Sequence, residues 1–215
     1  MAITERSVAV EAAGVTLEGD LLQPEEASGI VLFAHGSGSS RFSRRNRQVA
    51  RYLSEQGLAT LLFDLLTPDE NLIDERTREL RFDIPRIGQR MSGAVDWVAG
   101  DPLTRALRIG LFGASTGAAA ALIAAAERPD RVSAVVSRGG RPDLAGEALP
   151  RVMAPTLLLV GGQDGPVIEL NEQARAQMRS PCELTIVPGA THLFEEPGKL
   201  EEVQEHAARF FLKHL

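Results

Sequence analysis

Apolar and polar positions follow two rhythms along this chain. At 7–11 and again at 15–22 they alternate, with Ala13-Gly14 between, and period-two alternation across a short turn predicts an antiparallel hairpin. Beyond it come continuous apolar runs at 29–34, 59–66, 108–112, 132–137, 156–160 and 183–187. Runs of this length are what strands buried on both faces of a parallel sheet look like. Segments 44–56, 84–99, 116–127, 167–178 and 200–215 carry helical spacing. Strands alternating with helices predict an α/β fold: a mostly parallel sheet with an N-terminal antiparallel hairpin, helices on both faces, and right-handed crossovers. Pro68, Pro102, Pro129, Pro155, Pro181 and Pro197 fall in the connections, where a residue without an N–H does least harm. The stretch from Thr67 to Arg81 has no such rhythm. Its charge density predicts a long solvated connection, of the kind that often borders a cleft.

With 215 residues the chain is expected to form a single domain, 1–215, around one sizeable core. Composition is that of an ordinary globular protein, 44% hydrophobic and 24% charged. No apolar run approaches a membrane span, and the first residues lack a basic stretch followed by an apolar one, so a cytoplasmic protein without membrane association is expected. A net charge of -6 gives no basic face for nucleic acid. The local cluster Arg41, Arg44, Arg45, Arg47 and Arg51 reads as a solvated helix face. Cys182 is the single cysteine, so an intrachain disulfide is impossible, and its place at the head of a strand suggests a small core residue. Four histidines without metal-binding helical spacing give no reason to expect a metal or other cofactor.

Candidate chemistry changes the picture. In an open parallel sheet ligands bind beyond the carboxyl ends of the strands, so each reactive residue can be tested for lying just after an apolar run. Gly113-Ala114-Ser115-Thr116-Gly117 passes: it follows the 108–112 run and opens an alanine-rich helix. A serine between glycines at a strand-to-helix junction is a nucleophile elbow, with the helix N-terminus favouring negative charge on its oxygen. Asp164 follows the 156–160 run and His192 the 183–187 run. A carboxylate there can orient an imidazole, and the imidazole can take the serine proton. Ser115, Asp164 and His192 are therefore the expected catalytic set. The loop His35-Gly36-Ser37-Gly38 follows the first parallel strand, and the backbone amides of Ser37 and Thr116 are the expected oxyanion donors. His35 is expected to hydrogen-bond within its loop, His206 and His214 to be exposed on the last helix, and Asp64 to be a weaker alternative to Asp164.

Together these residues resemble the α/β-hydrolase superfamily and, within it, the small dienelactone-hydrolase-like serine esterases. The resemblance implies an α/β-hydrolase fold and a small carboxylic ester as substrate, with lactones and thioesters sharing the chemistry. Dienelactone hydrolases proper use a cysteine where this chain has Ser115, which points to a carboxylesterase. Residues 138–155 leave room for one short helix and no lid, so the site is expected to be open. Arg138 and Arg141 could pair with a substrate carboxylate, although surface ion pairs are the simpler expectation.

A nucleotide-binding protein fails on detail, because the 35–38 loop completes neither a dinucleotide fingerprint nor a phosphate loop. The remaining rival is a catalytically silent or engineered hydrolase fold used as a binding module or scaffold.

Overall fold

Residues 2–215 are described by a computed structural model. Ala13 and Gly14, both at positive φ (50° and 78°), make the tight turn between β1 (Ile3–Ala12) and β2 (Val15–Pro24). Two successive positive-φ residues turn the chain with the twist that antiparallel strands require. Six strands follow at the apolar runs: β3 (Gly29–Ala34), β4 (Ala59–Phe63), β5 (Arg108–Ala114), β6 (Val132–Arg138), β7 (Thr156–Gly161) and β8 (Cys182–Val187). β2 joins β4 antiparallel, and β3 to β8 run parallel, giving the order β1-β2-β4-β3-β5-β6-β7-β8.

Successive side chains leave a strand on opposite sides, so each apolar run feeds two cores. On one face Ile30, Leu32, Leu61 and Phe63 pack with Met91 and Val95 of α3 (Ile84–Gly100) and with the alanines of α4 (Thr116–Glu127). On the other, Val31, Phe33 and Leu62 meet Val49 and Leu53 of α1 (Arg44–Glu55) and Val203 and Phe211 of α6 (Lys199–His214). α5 (Gly165–Gln177) follows β7, and only 3-10 turns at Pro142–Arg151 fill the connection from β6 to β7.

Two expectations are corrected. β8 is an edge strand, half-exposed along most of its length, so Cys182 is only partly buried rather than a core residue. That burial still pushes its thiol up to about 11. Residues between Thr67 and Arg81 do not form an extended loop. Most of them are α2 (Pro68–Thr77), a helix with no apolar stripe, in which only Asp74 is buried. What holds it is polar. The Thr67 side chain accepts from the Glu70 amide, Glu70 accepts from the Thr67 amide, and Pro68 occupies the first turn. Arg90 of α3 then grips Glu70 with two bonds of 2.8 Å, and Arg86 adds a third at 2.9 Å.

Hydrogen bonding from Arg90 holds the Glu70 carboxyl at about 2, against an ordinary value of 4.5. A carboxylate whose pKa is depressed on folding stabilises the fold above its unfolded value and loses that contribution as pH falls through the folded one. Glu70→Gln is therefore expected to cost on the order of 3 kcal/mol at pH 7. The gap from wild type should more than halve by about pH 3. Urea denaturation at the two pH values measures it, and an unchanged gap would count against this pairing.

Candidate active site

At the end of β5 the chain turns sharply into α4, and Ser115 sits on that turn with φ 53° and ψ -124°. Positive φ for a residue with a side chain costs about 1–3 kcal/mol and persists only where the surroundings enforce it. Here the Ser115 amide donates to the Arg138 carbonyl at 3.4 Å, and its carbonyl accepts from Ala118 and Arg141 at 3.1 and 3.0 Å. Gly113 and Gly117 are steric requirements of the same turn. A Cβ on Gly113 would lie 2.4 Å from Ala118 Cα, and one on Gly117 2.1 Å from the Ala34 carbonyl oxygen.

Asp164 and His192 come from the loops after β7 and β8, which are laced together by backbone bonds. Gly162 donates to Val187 at 2.8 Å and Gln163 to Ala190 at 3.0 Å. The lacing brings His192 Nδ1 to 2.7 Å from Asp164 Oδ2. A carboxylate at Nδ1 selects the Nδ1–H tautomer and leaves Nε2 as the proton acceptor. The Thr191 amide is in turn anchored at 3.1 Å by the Glu196 carboxylate, a contact that sequence reasoning missed because it closes within a single surface loop. Ser115 and His192 line one cleft of about 200 Å³. No hydrogen bond joins their side chains among the described residues, and such contacts often tighten only with substrate bound.

Ser37 and Thr116 are brought together. Their hydroxyls are hydrogen-bonded at 2.9 Å, and neither backbone amide has a partner among the described residues. Ser37 and Gly36 also line a second, larger cleft of about 610 Å³, walled by Phe42, Leu65, Ile87 and the polar face of α2. The charged segment after β4 thus borders a cleft, as a helix rather than a loop.

The remaining expectations divide. His35 stays within its own surroundings, Nδ1 donating to the Gly36 carbonyl at 2.9 Å and Nε2 accepting from the Leu65 amide at 3.0 Å. Its burial pushes the imidazole pKa down, so it is a neutral structural bridge. Asp64 accepts from the backbone and side chain of Arg41 and does not meet His192. The arginine cluster is not uniformly solvated. Arg41 and Arg47 share Asp20, and Arg45 meets Glu195, whereas Arg44 and Arg51 are exposed. His206 and His214 are half-buried rather than exposed, His214 lying 4.6 Å from the Phe210 ring, because α6 packs closely on the sheet. Arg141 makes a surface pair with Asp143 at 2.8 Å. For Arg138 the surface expectation is wrong. It is 5% exposed, lines the 200 Å³ cleft, and donates to Asn46 at 3.2 Å.

Residues 17–214 match the family model described as the dienelactone hydrolase family. The chain belongs to that family. A dienelactone hydrolase crystal structure from Anabaena variabilis is 58% identical, covers 99% of both chains and superposes with a TM-score of 0.97. Est1E from Butyrivibrio proteoclasticus, at 20% identity over 96% of this chain and 98% of its own, has a TM-score of 0.79 and shares the α/β-hydrolase fold. A Mycobacterium tuberculosis H37Rv protein named as a putative phosphoribosyl transferase is 55% identical over 99% of this chain. The chain spans about half of that relative, 47% of its length. No helix among the described residues is long and apolar enough to cross a membrane.

Proposed function

We propose that this chain is a serine hydrolase, one catalytic domain over 1–215 working in the cytoplasm, that cleaves small carboxylic esters through an acyl-enzyme on Ser115. The observation that carries the reading is the 2.7 Å contact from Asp164 to His192 Nδ1, in a cleft shared with a serine on a strained turn. His192 Nε2 takes the Ser115 proton as Oγ bonds to the ester carbonyl carbon. The carbonyl oxygen becomes an oxyanion facing the Ser37 and Thr116 amides. Its collapse breaks the bond to the alcohol, which leaves with the proton held on His192. Water repeats the sequence and frees the acid. Lactones and thioesters undergo the same addition and collapse.

A fluorophosphonate probe tests the assignment. It should label wild type and leave Ser115→Ala unlabelled, and equal labelling of the two would overturn it. Asp164→Asn probes the next link. An amide in place of the carboxylate favours the wrong imidazole tautomer, so kcat is expected to fall about 10⁴-fold with little change in KM. A loss below tenfold would mean that another group orients His192.

A further inference from the structure

Only two residues of α5 are buried, Ala174 and Asn171, and the second is polar. Asn171 has no exposed surface, and its Oδ1 lacks a hydrogen-bond partner among the described residues. A buried amide with one end unsatisfied is unfavourable, and leucine, of similar bulk, would avoid that. The other end of the amide shows what it does. Nδ2 donates to the Val167 carbonyl of its own helix at 2.8 Å and to the Gly140 carbonyl, on the loop after β6, at 3.0 Å.

The Gly140 carbonyl shares a peptide group with the Arg141 N–H, which donates to the Ser115 carbonyl at 3.0 Å. The Ser115 carbonyl in turn shares a peptide group with the Thr116 N–H, the proposed oxyanion donor. Both groups are trans, so the C=O and N–H of each point in opposite directions. A line of hydrogen-bonded groups therefore runs from Asn171 through two peptide planes and ends on the Thr116 N–H. Bonds in such a chain polarise one another. The first plane has little freedom to drift. Gly139 donates to the Leu159 carbonyl at 2.8 Å, and a Cβ on Gly140 would lie 1.9 Å from Ser137 Oγ and 2.5 Å from Ala118 Cβ. α5 is also tied to the proposed acid, since the Asp164 carbonyl accepts from Ile168 at 3.0 Å in its first turn.

We propose that Asn171 is a positioning residue for acyl transfer: acting through the Gly140–Arg141 and Ser115–Thr116 peptide groups, it aims the Thr116 N–H at the developing oxyanion. This rests on the reading of Ser115 as nucleophile.

Asn171→Leu tests it with a chromogenic short-chain ester. Its kcat should fall by about 10–100-fold, with KM within about threefold of wild type, as for an interaction realised only in the transition state. Removal of a donor itself would lose about 10²–10³; here the Ala118 amide still holds the Ser115 carbonyl at 3.1 Å. The Ki for propyl trifluoromethyl ketone should rise by the same factor as kcat falls. Ser115 Oγ adds to the carbonyl carbon of that inhibitor, the serine proton passes to His192 Nε2, and the ketone oxygen becomes an oxyanion facing the Ser37 and Thr116 amides. Ala174→Gly, which loosens the same helix without touching the amide, should keep the wild-type kcat and Ki. A folded Asn171→Leu protein with wild-type kcat, or an equal loss in Ala174→Gly, would overturn the proposal. Should Asn171→Leu fail to fold, nuclear magnetic resonance of the wild type decides. The Asn171 Nδ2 and Arg141 amide protons should move downfield as the ketone binds, and if neither moves the proposal is wrong. A protein that the fluorophosphonate labels at Ser115 but that keeps its kcat as Asn171→Leu refutes the positioning role alone. A protein that is unlabelled and cleaves no ester refutes the hydrolase reading and the positioning role with it.

Discussion

Ser115→Ala should remove about 10⁵–10⁶ of kcat towards any ester the protein cleaves, with the thermal unfolding midpoint nearly unchanged. The size of the effect follows from covalent catalysis. Without the hydroxyl no acyl-enzyme forms, and His192 has no proton to accept. Residual turnover would come from substrate binding and the Ser37 and Thr116 amides acting on a water attack, a route worth about 10³–10⁴ over solution in comparable triads. The small effect on stability has a separate origin. Ser115 has no side-chain cap bond to its helix, and alanine carries the same Cβ into the same positive-φ conformation. Its backbone contacts to Arg138, Arg141 and Ala118 survive the change. Steady-state kinetics with a chromogenic short-chain ester, paired with a circular-dichroism melt, separates the two effects. A loss of less than about a hundredfold in kcat would place the nucleophile elsewhere. A large drop in melting temperature would instead mean that the hydroxyl serves the fold.

The parts of this molecule that were legible in the sequence are those whose physics is local or periodic. Continuous apolar runs located all six parallel strands, because a strand buried on both faces has no polar side to interrupt it. Strand ends then pointed to Ser115, Asp164 and His192 as candidates, since ligands of a parallel sheet gather beyond the carboxyl ends of its strands; Asp164 and His192 do meet at 2.7 Å, and Ser115 shares a cleft with His192. α2 escaped because its stability is polar and only partly local. The cap at Thr67 and Glu70 is visible in the sequence, but the grip of Arg90, 20 residues on, is not. Without an apolar stripe, a capped helix and a charged loop read alike. β8 misled in the opposite direction, since its composition suits a buried strand while its place at the sheet edge exposes one side. Arg138 was seen but misplaced. Arginine is almost never buried without a partner, so a surface position was the sound expectation. Its actual surroundings depend on Asn46, 92 residues away on α1. An exception to so strong a rule, lying beside Ser115, is itself a sign of function.

Gly117→Ala, a change of one methyl group, should cost about 3 kcal/mol or more of stability and at least a hundredfold in kcat/KM. The added Cβ would lie 2.1 Å from the Ala34 carbonyl oxygen and 2.7 Å from that of His35. Both obstacles are backbone, so no rotamer change relieves them and either α4 or the end of β3 must shift. Overpacking of this kind usually costs about 1–3 kcal/mol, and the rigid contact puts this site at the upper end or beyond. The catalytic cost arises because the two elements forced apart carry the two proposed oxyanion donors, Thr116 on α4 and Ser37 on the loop after β3. A displacement of about 1 Å in such a pair is enough for a hundredfold loss. Gly100→Ala is the control, since nothing lies within 4 Å of a Cβ there and alanine is the better helix former by about 1 kcal/mol. Urea denaturation and ester kinetics on both variants should show one sharply impaired and the other at least as stable as wild type and equally active. A Gly117→Ala protein with normal stability and normal kinetics would mean that the approach of α4 to β3 is looser than this packing, and would remove the steric reason for glycine at the elbow.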